Sequence, residues 1–160
     1  MTPSSAIDGQ AILDHVAALP GEAIGGFEAN AAPGTEPTCG LIYARVIHRN
    51  PACLSPTEVP HLGVEGEVAC RFTRHLPARD EAYTRDGVAD AVVAMPAIEI
   101  VSGRFVEPHA RPPLEQLADN IINGALVHGA EIIDWSHLDM CRCSQSSALV
   151  LANGADSCSD

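Results

Sequence analysis

Apolar residues recur along the chain with two different spacings, which predict short helices and strands in an irregular order. Helical spacing predicts a first helix over residues 8–19, with Asp8 as its N-cap. The same spacing predicts a second helix over 84–95, which ends at Pro96, and a third over 113–124.

Period-two alternation and apolar composition predict the strands. They are expected at 41–48, 63–72, 97–105, 125–132 and 146–154. Residues 21–40 are so rich in glycine, proline and alanine that we predict a long loop there. Because strands and helices do not alternate regularly, the pattern predicts an α+β fold, with a β-rich mixed sheet and short flanking helices.

The last predicted strand, 146–154, raises a question about the C-terminal end of the sheet. The strand finishes in Asn153-Gly154, the strongest two-residue hairpin signal, yet only the polar stretch ADSCSD follows. Such a stretch lacks the apolar alternation of a hairpin partner. We therefore expect an incomplete sheet whose free hydrophobic edge favours a homo-oligomer.

Length, charge and composition narrow the class of protein. The 160 residues predict one domain, made of an N-terminal helix and loop (1–40), a core (41–154) and a polar tail (155–160). A formal charge of −12, with arginine as the only basic residue type besides histidine, argues against a nucleic-acid partner. No segment has the length of a membrane span or the pattern of a secretory signal, so we expect no membrane partner and a cytoplasmic location. The six cysteines lack paired spacing and are predicted to be reduced thiols.

Two carboxylates interrupt the strand predicted at 63–72, GVEGEVACRF. Because side chains alternate across a strand, Glu65 and Glu67 share one face, roughly 6 to 7 Å apart. The other face, which carries Val64, Val68 and Phe72, is expected to be the core face. Paired carboxylates repel each other unless a cation lies between them, although a solvated polar strand face explains the pattern as well.

A third carboxylate lies inside an apolar run further along the chain. Glu99 stands between Ile98 and Ile100, where an unpaired charge is costly unless the position faces water. Three carboxylate ligands favour a hard divalent ion, Mg²⁺ or Mn²⁺, over zinc. If instead no metal binds, the three carboxylates are expected to lie more than about 8 Å apart. Arg104 is a candidate partner for an acidic side chain or for a substrate carboxylate.

Four stretches, in their order and spacing, resemble the 2-keto-4-pentenoate hydratase family of the fumarylacetoacetate hydrolase superfamily. They are GVEGEVACRFTRHLPARDEAYTRDGV, PAIEIVSGRF, LADNIINGALVHG and DWSHLDM. The resemblance covers residues 40–154. It implies a β-rich core of the fumarylacetoacetate hydrolase C-terminal-like type, here incomplete, and a hydro-lyase of aromatic-compound catabolism that adds water to 2-hydroxypenta-2,4-dienoate to give 4-hydroxy-2-oxopentanoate.

The resemblance also implies roles for individual residues. It makes Glu65, Glu67 and Glu99 the ligands of Mg²⁺ or Mn²⁺. It places Asp119 and Asn120, together with Asn123, at the border of an active site that binds a small 2-oxo acid, with helix capping as the structural alternative for all three. Arg104 is the residue retained from the family's DSR motif, so Arg104, Asp119 and Asn120 are the predicted catalytic residues.

Two departures from the family pattern keep other functions open. Ala23 stands where the family has a lysine, and the chain contains no lysine at all. Ser102-Gly103-Arg104 replaces the DSR motif. These departures favour a truncated remnant that keeps the metal-binding strands without catalysis. A related 2-oxo acid decarboxylase and a hydrolase that cleaves C–C bonds in acylpyruvates are further alternatives, because they would share the metal site.

Overall fold

The fold is a mixed sheet with a smaller sheet beside it and few helices. The computed structural model describes residues 2–19, 21–30, 37–61 and 63–138. The helices are α1 (Ala6–Ala17), α2 (Arg85–Ala89) and α3 (Pro113–Ala118), with 3-10 turns at Ala44–Val46, Pro108–Ala110 and Asn120–Ile122. The strands are β1 (Ile24–Asn30), β2 (Thr38–Tyr43), β3 (Ile47–Arg49), β4 (Gly63–Phe72), β5 (Val92–Val101) and β6 (Asn123–His128).

Four strands form the main sheet in the order β3-β6-β5-β4. β5 is antiparallel to both β4 and β6, and β3 is parallel to β6, so the sheet is mixed. β1 and β2 form a separate antiparallel pair. This architecture agrees with the predicted α+β class, and no helix in the described part of the chain is long and apolar enough to cross a bilayer. The strand and hairpin turn predicted at 146–154 lie outside the described residues.

The first helix forms as predicted but has a different cap. Ser5 is the N-cap, because its side-chain oxygen accepts a hydrogen bond from the Asp8 backbone N–H at 3.1 Å. The Asp8 carboxylate instead accepts from the hydroxyl of Ser4 at 2.6 Å. Gly9 faces α3, where a Cβ would lie 3.1 Å from Leu117 Cδ2, so the missing side chain lets the two helices approach closely.

The predicted loop over 21–40 is wrong, because that segment contains β1 and the start of β2. The glycines that argued against a strand have a packing reason. A Cβ on Gly25 would lie 2.8 Å from the Cα of Ala44 and 2.7 Å from Ile47 Cδ1. Glycine within a strand often marks such a close backbone approach.

The second predicted helix is too long. α2 ends at Ala89, although Thr84 does cap it by accepting from the Gly87 N–H at 3.1 Å, and residues 92–95 begin β5. These four apolar residues are all buried, because β5 is a central strand with both faces covered at that end. A continuous apolar run of this kind cannot be distinguished from a helix by its period alone. Pro96 lies within β5 and does not end a helix.

The predicted core face of β4 is also wrong. Phe72 is 54% exposed, and none of the residues of this edge strand is fully buried. On the neighbouring β5, the alternate residues from Val93 to Val101 are all buried, and Glu99 is one of them. The carboxylates therefore lie on the covered side of the sheet.

The cysteines do not all follow the prediction of reduced thiols. Cys39 and Cys70 are free, but Cys53 is disulfide-bonded. Burial raises the pKa of both free thiols, so neither is an activated nucleophile.

Candidate metal centre

The three glutamates predicted to bind a metal meet on one face of the sheet. Glu65 on β4 lies directly opposite Glu99 on β5, and Glu67 lies opposite the next residue on that face, Ala97. One carboxylate oxygen from each glutamate lies within 4.8 Å of the other two. Oxygens that share one Mg²⁺ at about 2.1 Å are up to about 4.2 Å apart, so a small closure of the side chains suffices to bind one ion. The separation of more than 8 Å expected for a protein without a metal is not observed.

Burial and mutual repulsion make this arrangement costly without a cation. Glu99 is only 4% exposed, and burial together with nearby carboxylates raises its pKa to about 8. Burial, and then the charge of Glu65, raises the pKa of Glu67. Like charges directly opposite on neighbouring strands destabilise a sheet. A divalent cation between the carboxylates removes this repulsion, so the donor set fits Mg²⁺ or Mn²⁺.

Asn123 fixes the orientation of the buried carboxylate. It is 2% exposed at the start of β6, and its Nδ2 donates to Glu99 Oε1 at 3.0 Å. The amide therefore holds the Glu99 carboxylate through one of its oxygens. Of the three residues that the sequence placed at the border of the site, Asn123 is the one whose side chain bonds to a predicted metal ligand.

A left-handed turn delivers Asn123 to this position. Asn120, Ile121 and Ile122 have φ values of 63°, 54° and 56°. The two isoleucines are β-branched, and this backbone region is strained for such residues. The Asn120 side chain stabilises the turn by bonding both backbone groups of Leu41 on β2: its Oδ1 accepts from the N–H and its Nδ2 donates to the carbonyl, each at 2.6 Å.

The other predicted catalytic residues bond to each other. The backbone N–H of Arg104 donates to Asp119 Oδ2 at 2.8 Å, and Arg104 Nη1 donates to the Asp119 carbonyl at 2.9 Å. Burial raises the pKa of Asp119, although Arg104 opposes the shift. Within the described ranges, no hydrogen bond joins Arg104, Asp119 or Asn120 to the three glutamates. Their catalytic roles remain predictions.

Arg104 lines a separate cavity of about 800 Å³ that Glu65, Glu67 and Glu99 do not line. His61 lines it too, with Nδ1 at 3.3 Å from Ser102 Oγ and Nε2 at 3.2 Å from the carbonyl of Val106. Both ring nitrogens of His61 therefore have partners. These contacts connect the segment before β4 to the segment that follows β5, so His61 has a structural role.

Sequence reasoning missed a fourth carboxylate. Glu28 on β1 lies beside the cluster, where its Oε2 is 3.4 Å from Asn123 Nδ2. Burial raises its pKa, and the charges of Glu67 and Glu65 contribute. The segment IGGFEAN has no period-two alternation of apolar and polar residues, so the sequence offered no signal for Glu28.

A second cavity, of about 720 Å³, opens onto the carboxylates. Its polar lining residues include Glu28, Glu67, Glu99 and Asn123. Most of the rest is apolar and comes from β1, β4, β5 and β6, including Ile24, Phe27, Val68, Phe72, Met95 and Leu126. A mostly apolar cavity with a few convergent polar groups is typical of a small-molecule site. We refer to it below as the carboxylate cavity.

Comparison with known proteins supports the fold. No protein-family model matches the chain, and no curated protein matches it. Among solved structures, the chain is similar to 4-oxalocrotonate decarboxylase from Pseudomonas putida G7 in complex with magnesium and adipate, with 14% identity and a TM-score of 0.69. It is also similar to the same enzyme in complex with calcium and acetate, with 16% identity and a TM-score of 0.65.

Each match covers 84% of this chain but 55% or 54% of the solved structure, so the chain spans about half the length of the enzymes it resembles. 4-Oxalocrotonate decarboxylase is a member of the fumarylacetoacetate hydrolase superfamily. At this level of identity the comparison shows a shared fold, and the chain therefore has a fumarylacetoacetate hydrolase-like fold.

Proposed function

We propose that the chain is a divalent-metal-dependent hydratase that adds water to 2-hydroxypenta-2,4-dienoate and gives 4-hydroxy-2-oxopentanoate. The proposal rests on the proximity of Glu65, Glu67 and Glu99 on the covered side of the sheet, where one carboxylate oxygen of each lies within 4.8 Å of the other two. Similarity to enzymes whose structures contain magnesium or calcium supports a metal at this site.

The residues of the candidate site would have different roles in such an enzyme. Glu65, Glu67 and Glu99 would hold Mg²⁺ or Mn²⁺, and Asn123 keeps the Glu99 carboxylate in a fixed orientation. When bound, the ion supplies positive charge to the carboxylate and 2-oxygen of a 2-oxo acid, which favours the enolate that forms as a proton moves. The apolar walls of the carboxylate cavity would contact the hydrocarbon tail and limit the access of water.

A decarboxylase is the second candidate, because it is the activity named for the similar solved structures. Both reactions would act on a 2-oxo acid and would use the positive charge of a divalent ion held by the same glutamates, so the metal site alone does not separate them. An acylpyruvate hydrolase would share the same ligands.

The reaction products distinguish the hydratase from the decarboxylase. The purified chain with Mg²⁺ is incubated with 2-hydroxypenta-2,4-dienoate or with 4-oxalocrotonate, and the products are identified by mass spectrometry. We expect the pentadienoate to gain one water molecule, and Glu67→Gln to abolish this reaction. Loss of carbon dioxide from 4-oxalocrotonate without hydration of the pentadienoate would establish the decarboxylase instead. No turnover of either compound by a folded, metal-binding chain would indicate a non-catalytic remnant.

A further inference from the structure

We propose that the cavity lined by Arg45 and Arg104 binds a small organic anion, in which a carboxylate or phosphate group is attached to an apolar body. We refer to it below as the arginine cavity. Its volume of about 800 Å³ lies in the usual range for small-molecule sites. The site is separate from the metal centre of the proposed function and needs no metal ion.

The main sheet separates the arginine cavity from the carboxylate cavity. Side chains alternate across a strand, so successive residues of β3 and of β6 face opposite sides of the sheet. On β3, Ile47 lines the carboxylate cavity and His48 lines the arginine cavity. On β6, Leu126 lines the carboxylate cavity and Ala125 lines the arginine cavity. A ligand in the arginine cavity therefore lies on the opposite face of the sheet from the metal centre.

Both arginines keep unused hydrogen-bond donors. Arg45 donates from Nε to Glu22 Oε1 at 2.6 Å, and among the described residues its two terminal nitrogens have no hydrogen-bond partner. Arg104 donates from Nη1 to the Asp119 carbonyl at 2.9 Å, and its Nη2 has no hydrogen-bond partner within the same part of the chain. A guanidinium has five N–H donors, so each arginine can still donate to an oxyanion.

The carboxylates that hold these arginines lie outside the cavity lining. Neither Glu22 nor Asp119 is among the lining residues, so each of them orients a guanidinium from outside the cavity. Of the described residues that line the cavity, Glu58 is the one acidic residue, and its Oε2 already accepts from the Ser55 N–H at 2.9 Å. The cavity therefore offers an incoming anion donors that carry a permanent positive charge.

Apolar side chains beside Arg104 indicate the rest of the ligand. Phe105 and Val106 follow it along the chain and line the cavity, yet they are 36% and 93% exposed. Leu54 and Val59, from the segment before β4, line the cavity too. Apolar surface next to cationic donors suits a ligand that joins an oxyanion to an apolar group such as an aromatic ring.

Isothermal titration calorimetry with benzoate, phenyl phosphate and benzamide tests the site. Divalent ions are first removed from the protein with a chelating resin, so no anion can bind through a metal. We expect benzoate or phenyl phosphate to bind about 10-fold more tightly than benzamide, which has the shape of benzoate without its charge. Tighter binding of phenyl phosphate identifies phosphate esters as the ligand class, and tighter binding of benzoate identifies carboxylic acids.

Two variants test the arginines themselves. Arg45→Gln and Arg104→Gln should each weaken binding of the tighter anion by about 10-fold, because each removes a charged donor. If the loss of the Arg104 contacts with Asp119 prevents folding, Arg45→Gln decides, because the exposed pair of Arg45 with Glu22 adds little to stability. Arg49→Gln is the matched control: it removes the same charge from an exposed residue of β3 that lines neither cavity, and it should bind the anion as the wild type does.

The proposal is overturned if neither anion binds, or if benzamide binds as tightly as the anions. Unchanged affinity in Arg45→Gln, or an equal loss of affinity in Arg49→Gln, would overturn it as well. Since no metal ion is present in these titrations, none of these results bears on the proposed function.

Discussion

Glu99→Gln should stabilise the metal-free protein while it removes the response to metal. The folded-state pKa of Glu99 is about 8, compared with an ordinary value of 4.5. Between these two values, the folded protein retains a proton that the unfolded chain has released. The stability of the metal-free wild type therefore falls as pH rises through this window, by about 1.4 kcal/mol per pH unit for an isolated group.

The gain in stability expected for Glu99→Gln is smaller than the full pKa shift of Glu99 implies, because Glu28 and Glu99 influence each other's titration. We expect the metal-free Glu99→Gln protein to be about 2–4 kcal/mol more stable than the wild type at pH 8, and nearly equal to it at pH 5. The glutamine retains an oxygen that accepts from Asn123, so the buried hydrogen bond is preserved.

Urea unfolding of both proteins at pH 5 and pH 8, with EDTA or with Mg²⁺, measures the effect. Addition of Mg²⁺ should stabilise the wild type and leave Glu99→Gln unchanged, since a neutral amide is a weak ligand for a hard cation. Glu107→Gln, which removes an exposed charge, should behave as the wild type at both pH values. A variant that is less stable than the wild type at pH 8 without metal, or one that Mg²⁺ stabilises equally, would refute this reasoning.

Three further predictions concern the scaffold. Asn120→Ala should lower the free energy of unfolding by about 2–4 kcal/mol in urea titrations, because it leaves both buried backbone groups of Leu41 without their partner; a loss below 1 kcal/mol would contradict this role. Gly25→Ala should cost about 1–3 kcal/mol in the same assay, because the new Cβ would clash with Ala44, and a neutral effect would show that β1 can shift. Light scattering of the purified chain should give the mass of a homo-oligomer, because β4 is an edge strand with Phe72 exposed, and a monomer mass would exclude this expectation.

The sequence predicted the proximity of Glu65, Glu67 and Glu99 better than it predicted the strands and helices around them. Glu65 and Glu67 share a face by strand period alone, and Glu99 was recognisable as a charge within an apolar run. Their meeting depends on the register of β4 and β5, which strand period does not specify. The order of the stretches and their resemblance to a known family supplied that information.

The errors have local physical causes. β1 was missed because its glycines reflect contact with Ala44, which lies far from Gly25 in sequence. The start of β5 was assigned to a helix because residues 92–95 are buried on both faces. The catalytic role of Asn120 stays a prediction, but the sequence did not predict its bonds to Leu41, because they depend on the approach of β2.

The central claim is that Glu65, Glu67 and Glu99 form one metal site, and thermal unfolding with increasing Mg²⁺ tests it most directly. A ligand that binds only the folded state at 100 times its dissociation constant adds about 2.7 kcal/mol, which corresponds to a rise in Tm of roughly 5–10 °C for a chain of this size. We predict this rise for the wild type and its absence in Glu67→Gln. A cooperative transition that neither Mg²⁺ nor Mn²⁺ moves would contradict the claim.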